Sequence, residues 1–258
     1  MASEIICELN GQIAFVTLSN PGKLNALDVA MWNALRDRFE ALSKNEDLRC
    51  VILRGADGNF AAGADIQEFA KVRNTLSDGM RYHTETIASA LRAITECLHP
   101  VIAAIDGVCI GGGLEIACAC DIRIAAHTAR FGIPVNRLGF PLAPAELQGL
   151  LALTGKAAAL EILLEGRVFN AIEAKEKGLL QHVSDDVTAQ ALVTALKIAQ
   201  GAPLAARMNK QLVRRLSNPA RSLDGQELTS AFSFLNTADY QEGIASFLEK
   251  RPPLFTGK

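Results

Sequence analysis

The chain carries almost no net charge: 26 Lys and Arg stand against 28 Asp and Glu in 258 residues, a balance of −2. That argues against a nucleic-acid surface, while leaving room for a local basic pocket facing a phosphorylated ligand. Neither a charged-then-apolar leader nor an apolar span of about 18 residues is read in the sequence, so no membrane segment is expected and a cytoplasmic location is. The six cysteines, Cys7, Cys50, Cys97, Cys109, Cys118 and Cys120, lie scattered in apolar contexts and are expected to stay reduced. Cys118-x-Cys120 lacks metal-site spacing and a nearby second pair, and reads as core filler.

Further absences narrow the chemistry. There is no G-x-G-x-x-G fingerprint, no serine sits in a G-x-S-x-G elbow, and His83, His99, His127 and His182 show no ligand spacing. Gly149 and Gly155-Lys156 imitate a phosphate loop, but the glycines are one residue too far apart and Ala157 stands where a Mg²⁺-binding hydroxyl belongs. Nucleotide hydrolysis, nicotinamide-dependent redox chemistry and triad hydrolysis are thereby set aside. Neither a metal nor a resident cofactor is expected, and His99, before a proline, reads as a loop or capping residue.

What is present is a globular composition, 49% hydrophobic and 21% charged, in a chain long enough to bury a sizeable core. Ile5 to Ser19 alternates and pauses at Asn10-Gly11, which predicts a hairpin. Asp28 is placed to cap a helix whose Met31, Leu35, Phe39 and Leu42 recur at helical spacing. Cys50 to Leu53 reads as a buried strand, Lys71 to Gly79 as a polar, mobile lid or surface loop, and Ile87, Leu91, Ile94 and Leu98 as a helix ended near Pro100. Ile122 to Ala125 reads as a strand, Phe131 to Ala145 as a Gly- and Pro-rich loop, and Ala157 to Leu164 and Ile172 to Glu176 as helices. Past about residue 185 only helices are expected: Thr188 to Ala199, Leu204 to Leu216, the 220s and 230s, and Tyr240 to Lys250. The pattern predicts an α/β core over residues 1–200 and a helical appendage over 201–258.

Two stretches carry the chemical signal. Val101 to Ile105 is an apolar run suited to a strand buried on both faces; Gly111, Gly112 and Gly113 then release the backbone into the apolar helix Leu114 to Ala119. Glu115 is the anomaly in that helix. Burial disfavours its charge and the helix N-terminus favours it, a combination suited to an acid/base group. Glycines at a helix start leave amides free to donate to an anion. In the second stretch, Asn59 to Phe69, the small residues Ala61 to Ala64 leave backbone open to a ligand, although taken in isolation a tight strand-to-helix turn is the plainer reading.

Taken together, Phe60 to Phe69 and Val101 to Asp121 resemble the two signature segments of the crotonase, or enoyl-CoA hydratase/isomerase, superfamily. The likeness continues through Asn25-Ala26-Leu27, Phe131-Gly132-Ile133-Pro134, Gly178-Leu179 and Phe247 to Arg251, and so spans essentially the whole chain. It implies a spiral of ββα units with a helical C-terminal trimerisation region, assembled as a homotrimer or homohexamer, and an acyl-CoA thioester as substrate, with coenzyme A entering as part of it. It places the oxyanion hole at the amides of Ala64 and Gly112, makes Glu115 the first catalytic glutamate, and lines the coenzyme A pocket with Lys23, Leu24, Ala26, Ala62, Asp65 and Ile66. Phe247 or Lys250 would reach a neighbouring subunit's ligand. Lys23 reads equally as a solvated turn residue.

The sequence departs from the family where the second hydratase glutamate should follow Phe-Gly-x-Pro: that position is Val135. An apolar side chain neither orients water nor moves a proton. Glu146, in Leu142 to Leu147, is a candidate substitute, with a surface or helix-capping role as the plainer reading. Hydration or isomerisation of an enoyl-CoA is the family default. The departure keeps two alternatives open: a decarboxylase, which needs the hole and a proton donor but no strong base, and a non-catalytic CoA-ester-binding or assembly protein.

Overall fold

The computed structural model describes residues 2–217, 226 and 237–258, apart from the side chains at 241, 244, 247 and 248. The expected hairpin forms from β1 (Glu4–Asn10) and β2 (Ile13–Ser19), antiparallel about Gly11. Helix α1 (Val29–Ser43) begins where Asp28 accepts a hydrogen bond from Met31 N at 2.8 Å, and buries Met31, Leu35, Phe39 and Leu42 together with Trp32. His99, fully buried, meets the other end of that helix through a 3.1 Å contact between its Nε2 and Leu42 O. The predicted capping role therefore holds.

Strand β3 (Cys50–Gly55) leads, through Ala61 and a 3-10 turn at Ile66–Glu68, into short α2 (Phe69–Val72) and α3 (Leu76–Arg81). Lys71 to Gly79 is therefore not the loop its polarity predicted: Thr75 Oγ1 accepts from Asp78 N at 3.1 Å and starts a helical turn despite Gly79. A π-helical turn, Tyr82–Ile87, joins α3 to α4 (Ala88–Glu96). Then follow β4 (Val101–Ile105), β5 (Val108–Ile110), α5 (Gly112–Ala119), β6 (Ile122–Ala126) and β7 (Arg130–Gly132). The predicted loop after Phe131 is shorter than expected. Pro134–Leu138 is a 3-10 turn and α6 (Pro144–Glu165) starts well before the predicted Ala157, with Pro144 at its first position. The chain continues with β8 (Phe169–Asn170), α7 (Ala171–Glu176), β9 (His182–Ser184), α8 (Val187–Gln200), α9 (Pro203–Leu216) and α10 (Ala238–Glu249). Apart from 226, the helices expected in the 220s and 230s lie outside the described residues below Thr237.

Among the described residues one sheet runs β1-β2-β3-β4-β6-β9, parallel from β2 onward, and a second runs β5-β7-β8. Ala61 bridges Cys109 in parallel, extending the second sheet by one position. The chain thus repeats one move: a strand in the large sheet, a strand or bridge in the small one, then a helix. β3, Ala61 and α2–α4 make one turn, β4, β5 and α5 the next, and β6, β7 and α6 the third, a spiral of ββα units. Helix α8 covers one face of the large sheet, packing Val187, Ala191 and Ala195 on Ile52, Ile102, Ala104 and Ile124. The alternate residues Val51, Leu53, Val101, Ala103 and Ile105 face the main core with α1, α4 and α5. Burial on both faces is why Val101–Ile105 carries no polar side chain.

Helix α9 is tied to this core through Lys210, whose Nζ lies 2.7 Å from Asp121 Oδ2 and 2.9 Å from His99 O. The reading of no long apolar span needs one correction: Pro144–Glu165 is long and apolar enough, at a mean hydropathy of 1.4 over 18 residues. It is not one straight helix, because Gly155 (φ 69°, ψ 174°) leaves the helical region and breaks it in two. Its first turn carries the buried Glu146.

Candidate active site

Two backbone segments from successive spiral turns meet edge to edge. Gly63 has φ 99°, and a Cβ there would stand 3.0 Å from Ile110 O and 3.3 Å from Gly112 N, so the segments touch through backbone where no side chain fits. Next to it, Leu27 N donates to Gly63 O at 2.7 Å and Leu27 O accepts from Asp65 N at 2.8 Å. In such a parallel bridge the middle residue, Ala64, keeps its own N–H and C=O turned away from Leu27. Gly112 opens α5, where an amide has no acceptor within the helix, and its neighbour Gly111 has already spent its N–H on Gly132 O at 2.9 Å. Among the described residues neither Ala64 N nor Gly112 N has a protein acceptor, and both residues line one cleft.

That cleft encloses about 110 Å³ and is mostly apolar, walled by Trp32, Phe69, Tyr82, Ile87, Phe140 and Leu142. Glu115 projects into it one helical turn after Gly112 and is 7% exposed. Burial, with the nearby Glu146 charge as the second cause, holds its carboxyl well above the usual carboxylate range. Val135 lines the same cleft, an apolar group where the family resemblance implies an acid. Glu146 lines it too, at 4% exposure. One of its oxygens lies 2.6 Å from His83 Nδ1 and the other accepts from Ala143 N at 3.3 Å, which ties the side chain both to the π-helical turn and to its own helix start. The capping role and a place in the cleft are therefore not alternatives: Glu146 has both.

The coenzyme-pocket candidates divide. Ala62 and Ile66 line the cleft, whereas Lys23, Leu24, Ala26, Asp65 and Lys250 do not. Ala62 N donates to Leu24 O at 2.9 Å, so the turn from Lys23 to Ala26 lies directly against the Ala62–Ile66 segment. Lys23 Nζ is held 2.6 Å from Asp65 Oδ2 and 3.0 Å from Gln67 Oε1. Asp65 is itself buried and caps the 3-10 turn through Gln67 N; the Lys23 contact first, and that amide, depress its carboxyl titration. Leu24 and Ile66 are both more than half exposed, and Ile66 also lines the cleft. Lys250 is exposed, and the Phe247 side chain lies outside the described residues.

The enoyl-CoA hydratase/isomerase family pattern matches residues 8–258. A probable enoyl-CoA hydratase, echA8, of Mycobacterium bovis is 36% identical over 258 residues, covering 98% of this chain and 97% of its own. The chain belongs to the enoyl-CoA hydratase/isomerase family. The 2,3-dehydroadipyl-CoA hydratase of Escherichia coli K12 is 33% identical over 99% of this chain and 100% of its own length. A crystal structure described as an enoyl-CoA hydratase/carnithine racemase from Magnetospirillum magneticum superposes with a TM-score of 0.95 at 44% identity, over 98% of this chain and 96% of that one. The fold is thus the crotonase fold, and the chain is an enzyme of the hydratase/isomerase family.

Within this family frame the structure adds residues that sequence reasoning passed over. His83 was set aside for lack of ligand spacing, yet it is the partner of Glu146 across 63 positions. Tyr82 meets its ring edge-on at 5.3 Å, Phe69 meets Tyr82 edge-on at 6.2 Å, and Phe140 meets Phe69 edge-on at 6.1 Å. No short-range pattern marks such a pairing; a surface or helix-capping role was the plainer expectation for Glu146.

Proposed function

We propose that this enzyme binds a 2-enoyl or 3-enoyl thioester of coenzyme A with its carbonyl oxygen between the amides of Ala64 and Gly112, and moves protons with Glu115 and Glu146. The observation that carries the reading is that Glu146, despite Val135, sits buried in the same cleft as Glu115 and is oriented by His83. The two free amides stabilise the negative charge that develops on the thioester oxygen as an enolate forms, each donor contributing about 3 kcal/mol in sites of this kind. Glu115, kept neutral by burial, is the proton donor to the carbon next to the carbonyl. Glu146, aimed by its bond to His83, is the base that activates water or removes a proton from the chain. No resident cofactor is invoked. Coenzyme A enters with the substrate, its nucleotide end outside the cleft over the Lys23 to Ala26 turn and the exposed Leu24 and Ile66.

Glu146 separates this reading from a one-carboxylate decarboxylase. Glu146→Gln keeps the volume and the bond to Ala143 N, so it is expected to lower hydration of crotonyl-CoA or isomerisation of a 3-enoyl-CoA by roughly a hundredfold with little change in CoA-ester affinity. Wild-type turnover of a malonyl-type thioester, unaffected by that substitution, would favour decarboxylation instead. Tight binding of all these esters without turnover would leave only a binding or assembly role.

We further propose that copies assemble as a trimer or a pair of trimers, with residues 201–258 contributing to the contact. Leu160 and Leu164 of α6, Val168, and Ile172 of α7 are exposed at 44%, 71%, 51% and 56%, a run of apolar surface suited to a subunit contact. Sedimentation equilibrium should give three or six chains; a monomer at micromolar concentration would refute this.

A further inference from the structure

Arg73 stands at the end of α2, its amide bonded to Phe69 O at 2.9 Å, and its side chain turns into the wall of the cleft. The guanidinium carbon lies 4.5 Å from the ring centre of Phe69 and 4.2 Å from that of Phe140. Aromatic faces hold a guanidinium in place and strip water from it, but they leave its N–H edge unsatisfied. Nearby arginines use that edge on carboxylates: Arg81 meets Asp78 at 2.5 Å and Arg36 meets Asp37 at 2.8 Å. Among the described residues the Arg73 guanidinium has no hydrogen bond or ion pair, and it is the one Lys or Arg side chain lining the cleft.

A run of contacts links it to the acid/base pair without touching it directly: Arg73 packs on Phe69, Phe69 lies 6.2 Å from Tyr82, Tyr82 lies 5.3 Å from His83, and His83 reaches Glu146 at 2.6 Å. A group meeting Arg73 lies inside the apolar cleft, where Phe140 and Leu138 complete the lining.

We propose that Arg73 selects acyl groups that carry a carboxylate at the end remote from the thioester. The proposal rests on the acyl-CoA reading above and names its substrate class: dicarboxylic monothioesters of coenzyme A. A planar guanidinium fixed between rings presents two parallel donors to a carboxylate, whereas an uncharged chain end leaves them unpaired in an apolar cleft.

The test compares adipoyl-CoA with hexanoyl-CoA, saturated six-carbon esters that differ only in a terminal carboxylate against a methyl, by calorimetric Kd. Neither is an enoyl substrate, so the comparison reads Arg73 whether or not the proposed reaction occurs. Failure of crotonyl-CoA turnover would bear on the reaction alone. Wild type is expected to bind adipoyl-CoA roughly tenfold or more tightly than hexanoyl-CoA. Arg73→Gln should erase that preference and change the hexanoyl-CoA Kd less than about threefold. Arg73→Lys, which keeps charge but loses the planar fork, should retain only part of the preference and reports in place of Arg73→Gln if that variant does not fold. Equal affinity of wild type for the two esters overturns the proposal. So does a preference that survives in Arg73→Gln, or an equal loss for both esters and for free coenzyme A, which would assign Arg73 to a phosphate.

Discussion

Glu115→Gln is expected to lower kcat on an enoyl-CoA by roughly 10²–10⁴-fold while leaving the affinity for the ester nearly unchanged. The amide is close in volume to the neutral carboxyl that burial enforces at this position, so the apolar surroundings have no new charge or cavity to accommodate. What is lost is the transferable proton. Unchanged turnover would remove Glu115 from the chemistry and leave it a buried structural group. The same variant reads the electrostatics through stability. A carboxyl whose pKa is raised on folding holds a proton that the unfolded chain releases at ordinary carboxylate pH. Its stability contribution is therefore fully present below the unfolded pKa and is lost as pH rises toward the folded one. Glutamine does not titrate. The melting temperature of Glu115→Gln should gain on wild type between pH 5 and pH 8, each kcal/mol appearing as roughly 2–4 °C in a chain of this size. A difference that is flat with pH would mean Glu115 titrates alike in both states.

Glu115 was legible because its anomaly is local: an acid three positions after Gly112 in a helix otherwise built of Leu, Ile, Ala and Cys. The hairpin at Gly11, the Asp28 cap and the twice-buried Val101–Ile105 were legible for the same reason, since each is decided by neighbours within a turn or two. The polar run Lys71 to Gly79 misled, because composition spoke for a loop while one cap at Thr75 was enough to start a helix. Ala64 and Gly112 as a pair came only from resemblance. The residues are 48 positions apart, and what joins them is the stacking of two spiral turns at Gly63. His83 and Glu146 lay further beyond reach. A 2.6 Å contact between α6 and a π-helical turn follows from how α4 and α6 pack, which no spacing rule encodes. Val135 alone suggested a missing carboxylate, yet the fold places a different one in the same cleft.

Removing a main-chain donor tests the other half of the site. Gly112→Pro deletes one N–H at the first position of α5, a place where proline is otherwise well tolerated, so the helix itself has little reason to fail. Any residue at 112 also adds a Cβ, and that atom would meet the Trp32 ring at 3.0 Å. Gly112→Ala adds the same atom but keeps the donor, and is the proper reference. Relative to it, Gly112→Pro is expected to lose a further 10²–10³-fold in kcat with a much smaller change in ester Kd. The asymmetry follows from where the charge is. The ground-state thioester oxygen is a weak acceptor that loses little when one donor goes, whereas the enolate oxygen concentrates negative charge on the two amides that protein groups leave free. Equal losses of kcat and affinity would place the Gly112 amide in ground-state binding alone. If Gly112→Ala were already as impaired as Gly112→Pro, the crowding against Trp32 would be the cause and the donor would carry no catalytic weight.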